Sequence, residues 1–309
     1  MLTLDGLRSF YRQGTSLGVV GFPISHSLSP VFHNAALQYL AARDPEFKDW
    51  EYFRIEAPVE QLKDVIALCR EKGFRGLNLT IPHKVEALNY VDQVDPLAAR
   101  MGAVNTLIFE KDTVSGHNTD GYGVSTAVQS ELGISIKERP VVVLGAGGAS
   151  RAACVQCLAE GCSELWVGNR SQGRLLSLLE DLKNGFPQIP IRGFSLDTAS
   201  LSEGGDCPEF PKESLLINTT SLGLKPDDPL PISRRSLESV GYVYDAVYGS
   251  HVTPLVNEAR ELGLPAADGL SMLLFQGNRS LTLWTGVETP IDVMRNAVLE
   301  YRSRKTAGE

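Results

Sequence analysis

Val141-Val142-Val143-Leu144-Gly145-Ala146-Gly147-Gly148-Ala149-Ser150 is the stretch on which the fold turns. Its first four residues are continuously apolar, the character of a parallel strand buried on both faces. The strand runs straight into glycines, and a helical pattern follows. That order of strand, glycine turn and helix is what a dinucleotide fingerprint requires. Gly145 permits the tight turn, and Gly147 lets the backbone approach a pyrophosphate. The helix start offers N–H groups and a partial positive charge to that anion. Ser150 stands at the third small position and keeps the helix close to the strand.

The next strand, Leu165 to Val167, decides the cofactor. A protein that selects NAD places Asp or Glu at the end of this strand, on the ribose 2′-hydroxyl. Here the strand runs into Gly168-Asn169-Arg170-Ser171, with Arg174 one turn on. Two guanidiniums stand where a carboxylate would be, and guanidinium binds phosphate through charge-assisted, often bidentate bonds. The expected cofactor is therefore NADP.

Working outward, Ser171 to Leu182 reads as a helix, and Leu215 to Ile217 and Tyr242 to Tyr244 as later strands. Residues 195–214, with Gly204, Gly205 and Pro208, read as a loop. Upstream, Leu17 to Val20 is a buried strand, and Val31 to Ala42 is a helix with Pro30 at its start. A helix over Val59 to Lys72, a strand over Gly76 to Thr80 and a hairpin from Ala103 onward complete the first part. Gly121 to Leu132 is a helix leading into the dinucleotide unit. Ser271 to Arg302 is helical, with a break near Thr289-Pro290, and its apolar faces need a sheet to cover. The fold class expected is α/β with two domains: a substrate domain of residues 1–120 plus 269–309, and a Rossmann-type domain of residues 121–268. The C-terminal helices return to the first domain.

The chain has 309 residues, 43% hydrophobic and 21% charged, enough for two cores. A net charge of −8 argues against nucleic acid or an anionic membrane as partner. No stretch offers about 18 consecutive apolar residues, and the N-terminus has no leader pattern, so a cytoplasmic location is expected. The five cysteines include Cys154-x-x-Cys157. No second pair follows it, so two small residues packed on one helix are expected, and no metal.

Four segments outside the fingerprint put small polar groups at strand ends and turns. They are Ser25-His26-Ser27-Leu28-Ser29-Pro30, Asn78-Leu79-Thr80-Ile81-Pro82-His83-Lys84, Gly102-Ala103-Val104-Asn105-Thr106 and Asn118-Thr119-Asp120-Gly121. With the glycine turn, Asn169-Arg170-Ser171, Asp245 to Tyr248 and Asp268 to Gln276, eight motifs stand in order along nearly the whole chain. In this order they resemble the shikimate dehydrogenase family. The resemblance implies NADP-dependent interconversion of 3-dehydroshikimate and shikimate, with a small-molecule substrate and a monomer or homodimer. It implies that Lys84 and Asp120 form the catalytic pair. Ser27 and Ser29, helped by Tyr248, would hold the substrate carboxylate, and Thr80, Asn105 and Gln276 the ring hydroxyls. On the cofactor side it implies Gly145, Ala146, Gly147, Gly148 and Ala149, then Asn169, Arg170, Ser171 and Arg174, and also Thr219, Ser221, Val247 and Gly269.

Elementary chemistry agrees with the catalytic pair. Hydride addition to a ketone builds negative charge on oxygen, which an adjacent ammonium stabilises and can protonate. A neighbouring carboxylate holds the ammonium and balances it. Two other readings stand beside this one: a dual quinate/shikimate dehydrogenase, and a non-catalytic ligand sensor on the same fold. Lys84 and Asp120 together, with the two arginines, speak against the sensor. The role of His83 is left open.

Overall fold

The computed structural model describes residues 1–196, 208–249 and 251–307. The chain forms two compact units, Met1–Thr119 with Gln276–Glu309, and Asp120–Phe275.

The first unit is built on a seven-stranded sheet of order β1-β3-β2-β4-β6-β7-β5. Its strands are β1 (Leu2–Thr3), β2 (Ser16–Gly21), β3 (Glu51–Glu56), β4 (Phe74–Leu79), β5 (Gln93–Val94), β6 (Thr106–Phe109) and β7 (Val114–His117). Strands β1 to β4 pair in parallel, while β6 is antiparallel to both β4 and β7. Every residue of β2 is buried, as its apolar run requires. Helices α1 (Leu4–Arg8) and α3 (Leu62–Glu71) contribute Leu7, Leu62, Val65 and Ile66 to a core with Val20, Ile55 and Leu77.

The C-terminal helix Ile291–Ala307 packs on α2 (Ser29–Ala41). Trp284, near the end of the helix Leu270–Thr285, donates its indole N–H to the carbonyl of Leu107 at 2.9 Å. This contact needs Gly76, because a Cβ there would lie 2.1 Å from the indole nitrogen. The sheet-covering role expected of the C-terminal helices is thus filled in the first unit.

The second unit holds a six-stranded, all-parallel sheet of order β10-β9-β8-β11-β12-β13. The strands are β8 (Pro140–Leu144), β9 (Glu164–Asn169), β10 (Ile191–Ser195), β11 (Leu215–Asn218), β12 (Tyr242–Asp245) and β13 (Ala266–Ala267). Counted within the unit this is the order 3-2-1-4-5-6 of a dinucleotide-binding sheet. Val142, Leu144, Leu216 and Val243 are fully buried in one core, as the apolar runs demanded. The strand order reverses between β8 and β11, and in such sheets ligands bind beyond the strand ends at that point.

The structure adds elements that the sequence reading passed over. Strand β3 is a partner of β2, and the strand β10 pairs with β9 at the sheet edge. The helix after Leu28 begins at Ser29 rather than Val31, with Pro30 in its first turn. Of the loop expected over 195–214, residues 197–207 lie outside the described residues, and 208–214 carry no helix or strand. Cys154, Cys157 and Cys162 are buried free thiols, and burial pushes Cys162 up to about 12. Cys207 lies outside the described residues.

Candidate active site

In the second unit, the glycine turn is fixed by a short chain of hydroxyls. Thr219 Oγ1 donates to the carbonyl of Leu144 at 2.6 Å, and Ser150 Oγ lies 2.6 Å from Thr219 Oγ1. Ser150 Oγ in turn accepts from Gly147 N at 3.1 Å. Gly145 has φ +115°, and a Cβ there would come within 2.6 Å of Ser150 Oγ. Helix α7 (Gly148–Ala159) starts beyond this turn, so Gly148 and Ala149 carry the unsatisfied N–H groups of its first turn. Nothing lies within 4 Å of where a Cβ would stand on Gly147 or Gly148. Glycine backbone with open space beside it, at the start of a helix, fits the close approach of a pyrophosphate.

At the end of β9, Asn169 turns its amide onto the carbonyl of Ser171 at 2.9 Å. Arg170 and Arg174 are exposed, Arg174 in the first turn of α8 (Gln172–Gly185). No carboxylate occupies this strand end, so the groups present fit a 2′-phosphate rather than a free hydroxyl.

Two loops at the other side of the switch point share one anchor. Asp245, buried at the end of β12, accepts from Asn218 Nδ2 at 2.8 Å, Val247 N at 3.0 Å and Thr253 Oγ1 at 2.6 Å. Burial pushes its carboxyl up, against the pull of those donated bonds. Asn218 also accepts from the N–H and the hydroxyl of Thr220, so Asp245 and Asn218 shape the segment carrying Thr219 and Ser221. Gly269 N donates to Val247 O at 3.1 Å, and a Cβ at Gly269 would collide with the Ala246 carbonyl. Val247 and Gly269 therefore lie side by side, with Tyr248 next in the loop.

In the first unit a buried polar ladder runs across the sheet. Asn78 Nδ2 donates to Asn105 O at 3.2 Å, Thr106 Oγ1 at 3.1 Å and Ser280 Oγ at 2.9 Å. Its Oδ1 accepts from the Tyr52 phenol at 2.7 Å. Asn105 Nδ2 donates to Thr119 Oγ1 at 2.9 Å and to Gln276 Oε1 at 3.3 Å. The residues expected to meet ring hydroxyls, Asn105 and Gln276, are thus in contact, and Thr80 follows β4 beside the ladder. Thr119 N donates to Asn105 Oδ1 at 2.9 Å, which fixes the residue before Asp120, the first residue of α6 (Asp120–Leu132).

Lys84 sits in the one-turn helix α4 (His83–Glu86) that follows Pro82. Its carbonyl accepts from Val104 N at 2.8 Å. His83 before it is fully buried, with Nε2 2.9 Å from the Ala57 carbonyl, and burial lowers its pKa. The question left open by the sequence has a structural answer: His83 ties the Lys84 turn to the sheet.

Ser27 and Ser29 lie at the start of α2. Ser27 Oγ accepts from Ser29 N at 3.3 Å, and Ser29 hydrogen-bonds the Tyr52 phenol, whose proton burial makes hard to lose. Arg54 donates through Nε and Nη2 to the carbonyl of Ser27, at 3.1 and 2.7 Å. Tyr52, Arg54 and Ser280 are supporting residues that sequence reasoning missed, while Thr119 and Asp245 stood in quoted motifs without an assigned role. The alternation of Tyr52, Arg54 and Glu56 within a strand-length segment was the available signal for the first two.

Comparison with known proteins then decides the family. Residues 19–107 match the model of the shikimate dehydrogenase substrate binding domain, and residues 269–299 that of the shikimate 5′-dehydrogenase C-terminal domain. The shikimate dehydrogenase (NADP(+)) of Methanococcus aeolicus is 35% identical over 92% of this chain and 96% of its own. The chain belongs to the shikimate dehydrogenase family. The member from Methanosarcina mazei, also a shikimate dehydrogenase (NADP(+)), is 39% identical over 92% of this chain and 97% of its own. Among solved family members, shikimate 5-dehydrogenase from Thermus thermophilus, in complex with NADP(H) and shikimate, superposes with a TM-score of 0.77. It is 34% identical, covering 93% of this chain and 99% of that one. Like those relatives, the chain is an NADP-dependent oxidoreductase acting on a CH–OH group. Among the described residues no helix is long and apolar enough to cross a membrane, and no group of three or more His, Cys, Asp or Glu is placed to hold a metal.

Proposed function

We propose that this chain catalyses the reversible reduction of 3-dehydroshikimate to shikimate with NADPH, a step of chorismate and aromatic amino acid biosynthesis. The observation that carries the reading is the joined set Asn105–Gln276 on the buried ladder of the first unit, in a family of NADP-dependent shikimate dehydrogenases. Amide oxygens and N–H groups at such a place suit a ring bearing several hydroxyls, where an apolar slot would not.

NADPH, when bound, supplies the hydride. Gly145 to Ala149 with Thr219 and Ser221 receive the pyrophosphate side, and Asn169, Arg170, Ser171 and Arg174 the 2′-phosphate. Val247 and Gly269 line the nicotinamide side. Ser27 and Ser29, with Tyr248, hold the substrate carboxylate through neutral donors, and Thr80, Asn105 and Gln276 hold its hydroxyls. Lys84 and Asp120 act at the reacting oxygen. The Lys84 ammonium stabilises the alkoxide as it forms and delivers the proton, and Asp120 orients it. In the reverse direction the same pair takes the hydroxyl proton.

The test is direct. Protein mixed with shikimate and NADP+ should raise the absorbance of NADPH, faster than with quinate or with NAD. Absence of NADPH formation with shikimate, in protein that binds NADP+, rejects the reading and favours a ligand sensor. Equal rates with quinate would make the enzyme a dual quinate/shikimate dehydrogenase.

A further inference from the structure

The polar face of β3 holds the segment that carries the two serines. Three alternate residues, Tyr52, Arg54 and Glu56, share that face, as the period of a strand dictates. Each reaches one point of residues 24–29. Glu56 Oε2 accepts from Ile24 N at 3.2 Å. The Arg54 guanidinium caps Ser27 O, and Tyr52 meets Ser29. The backbone of Tyr52 is itself clamped by the Asn34 amide, which donates to Tyr52 O at 3.0 Å and accepts from Tyr52 N at 2.8 Å.

Arg54 stands apart from its neighbours because it is charged. Both of its hydrogen bonds go to one neutral carbonyl, and no carboxylate among the described residues pairs with it. No direct ion pair neutralises it, and the nearest carboxylate on the same face, Glu56, is turned onto Ile24 N. Serine hydroxyls alone do not balance an anion drawn out of water. A guanidinium bonded to the backbone of the same serine does so from behind, at a distance where charge is still felt.

We propose that Arg54 is a positioning residue that supplies the positive charge of the carboxylate pocket through Ser27. The inference rests on the proposed function, since it takes the substrate to be a carboxylate held by Ser27 and Ser29. It makes selection for an acid a property of β3, in addition to the hydroxyls that touch the ligand.

The test compares wild type, Arg54→Met and Arg54→Lys on shikimate and on its methyl ester, with NADP+ saturating. Met keeps the length of the side chain without charge, and Lys restores the charge without the fork. Arg54→Met should raise KM for shikimate about tenfold, the effect of one partly screened charge interaction. Its kcat should stay within about twofold, and its KM for the ester should be unchanged on the same grounds. Arg54→Lys should recover most of the lost affinity. An unchanged KM for shikimate in Arg54→Met would overturn the proposal. So would an equal rise for acid and ester that Lys does not rescue, because that marks a mere brace. If wild type itself fails to oxidise shikimate, the proposed function is at fault rather than the role of Arg54.

Discussion

Asn78 and Ser280, 202 positions apart in the chain, meet through a 2.9 Å hydrogen bond in the buried centre of the first unit. The bond ties β4 to the helix Leu270–Thr285, which also carries Gln276. Asn78→Ala would leave the buried Tyr52 phenol without its acceptor and remove one bond each from the Asn105 carbonyl and the hydroxyls of Thr106 and Ser280, which keep other partners. The cost should be about 2–4 kcal/mol, since an unsatisfied buried group costs about 1–3 kcal/mol and the lost bonds add to that. Urea unfolding measures it. A loss under about 0.5 kcal/mol, the range of an ordinary surface substitution, would show that the ladder does not hold the unit together.

The cofactor end makes a separate demand. Replacing Arg170 and Arg174 together by Ala should raise KM for NADP+ by about 10- to 100-fold, the worth of charge-assisted phosphate bonds, and leave KM for NAD nearly unchanged. Steady-state kinetics with both cofactors decides it. Equal losses for the two would place the 2′-phosphate elsewhere.

At the glycine turn the backbone itself is the constraint. Gly145→Ala puts a methyl group 2.6 Å from Ser150 Oγ and 2.9 Å from Thr219 Oγ1, at φ +115°. The turn must shift, and NADP+ binding measured by fluorescence should weaken by about tenfold or more, as expected for a strain of about 1–3 kcal/mol. Undiminished binding would mean that this turn does not cradle the pyrophosphate.

His33 gives the fold a pH dependence with a definite sign. It is fully buried against Phe32, Tyr52 and Trp284, neither ring nitrogen has a partner among the described residues, and burial lowers its pKa from 6.5 to about 3. Above pH 6.5 the ring is neutral folded or unfolded, so its full contribution is present. As pH falls from 6.5 towards 3, only the unfolded chain takes up the proton. Stability then drops by about 1.4 kcal/mol per pH unit from this group. His33→Leu should flatten the curve between about pH 6.5 and 5 in urea titrations. Parallel curves for the two proteins would show that His33 is protonated in the folded state.

How much of this was open to reading depended on where function and hydrophobic pattern coincide. Val141 to Leu144 and the glycines after it carry both, so the second sheet and its cofactor turn are written in one short segment. Strand β3 is the opposite case. Glu51-Tyr52-Phe53-Arg54-Ile55-Glu56 has charges on both of its faces, because one face serves the serine loop instead of a core. An apolar-run criterion passes over it. Strand β10 hides for a different reason: it is an edge strand with Arg192 and Gly193 exposed. Lys84 and Asn105 were legible as motif residues. Thr119 stood in a motif without a role and Ser280 in none, since a small hydroxyl on a helix or before a turn has many uses and only the fold brings these two to 3.1 Å.

Catalysis as proposed turns on the proton at the reacting oxygen, and Lys84→Ala addresses it most directly. Removal of a positioned acid–base group should lower kcat for shikimate oxidation by about 10²- to 10⁴-fold. NADPH affinity, measured by fluorescence on the same preparation, should stay within about twofold, because ground-state cofactor binding does not use this ammonium. A variant that turns over shikimate at close to the wild-type rate would contradict the account outright.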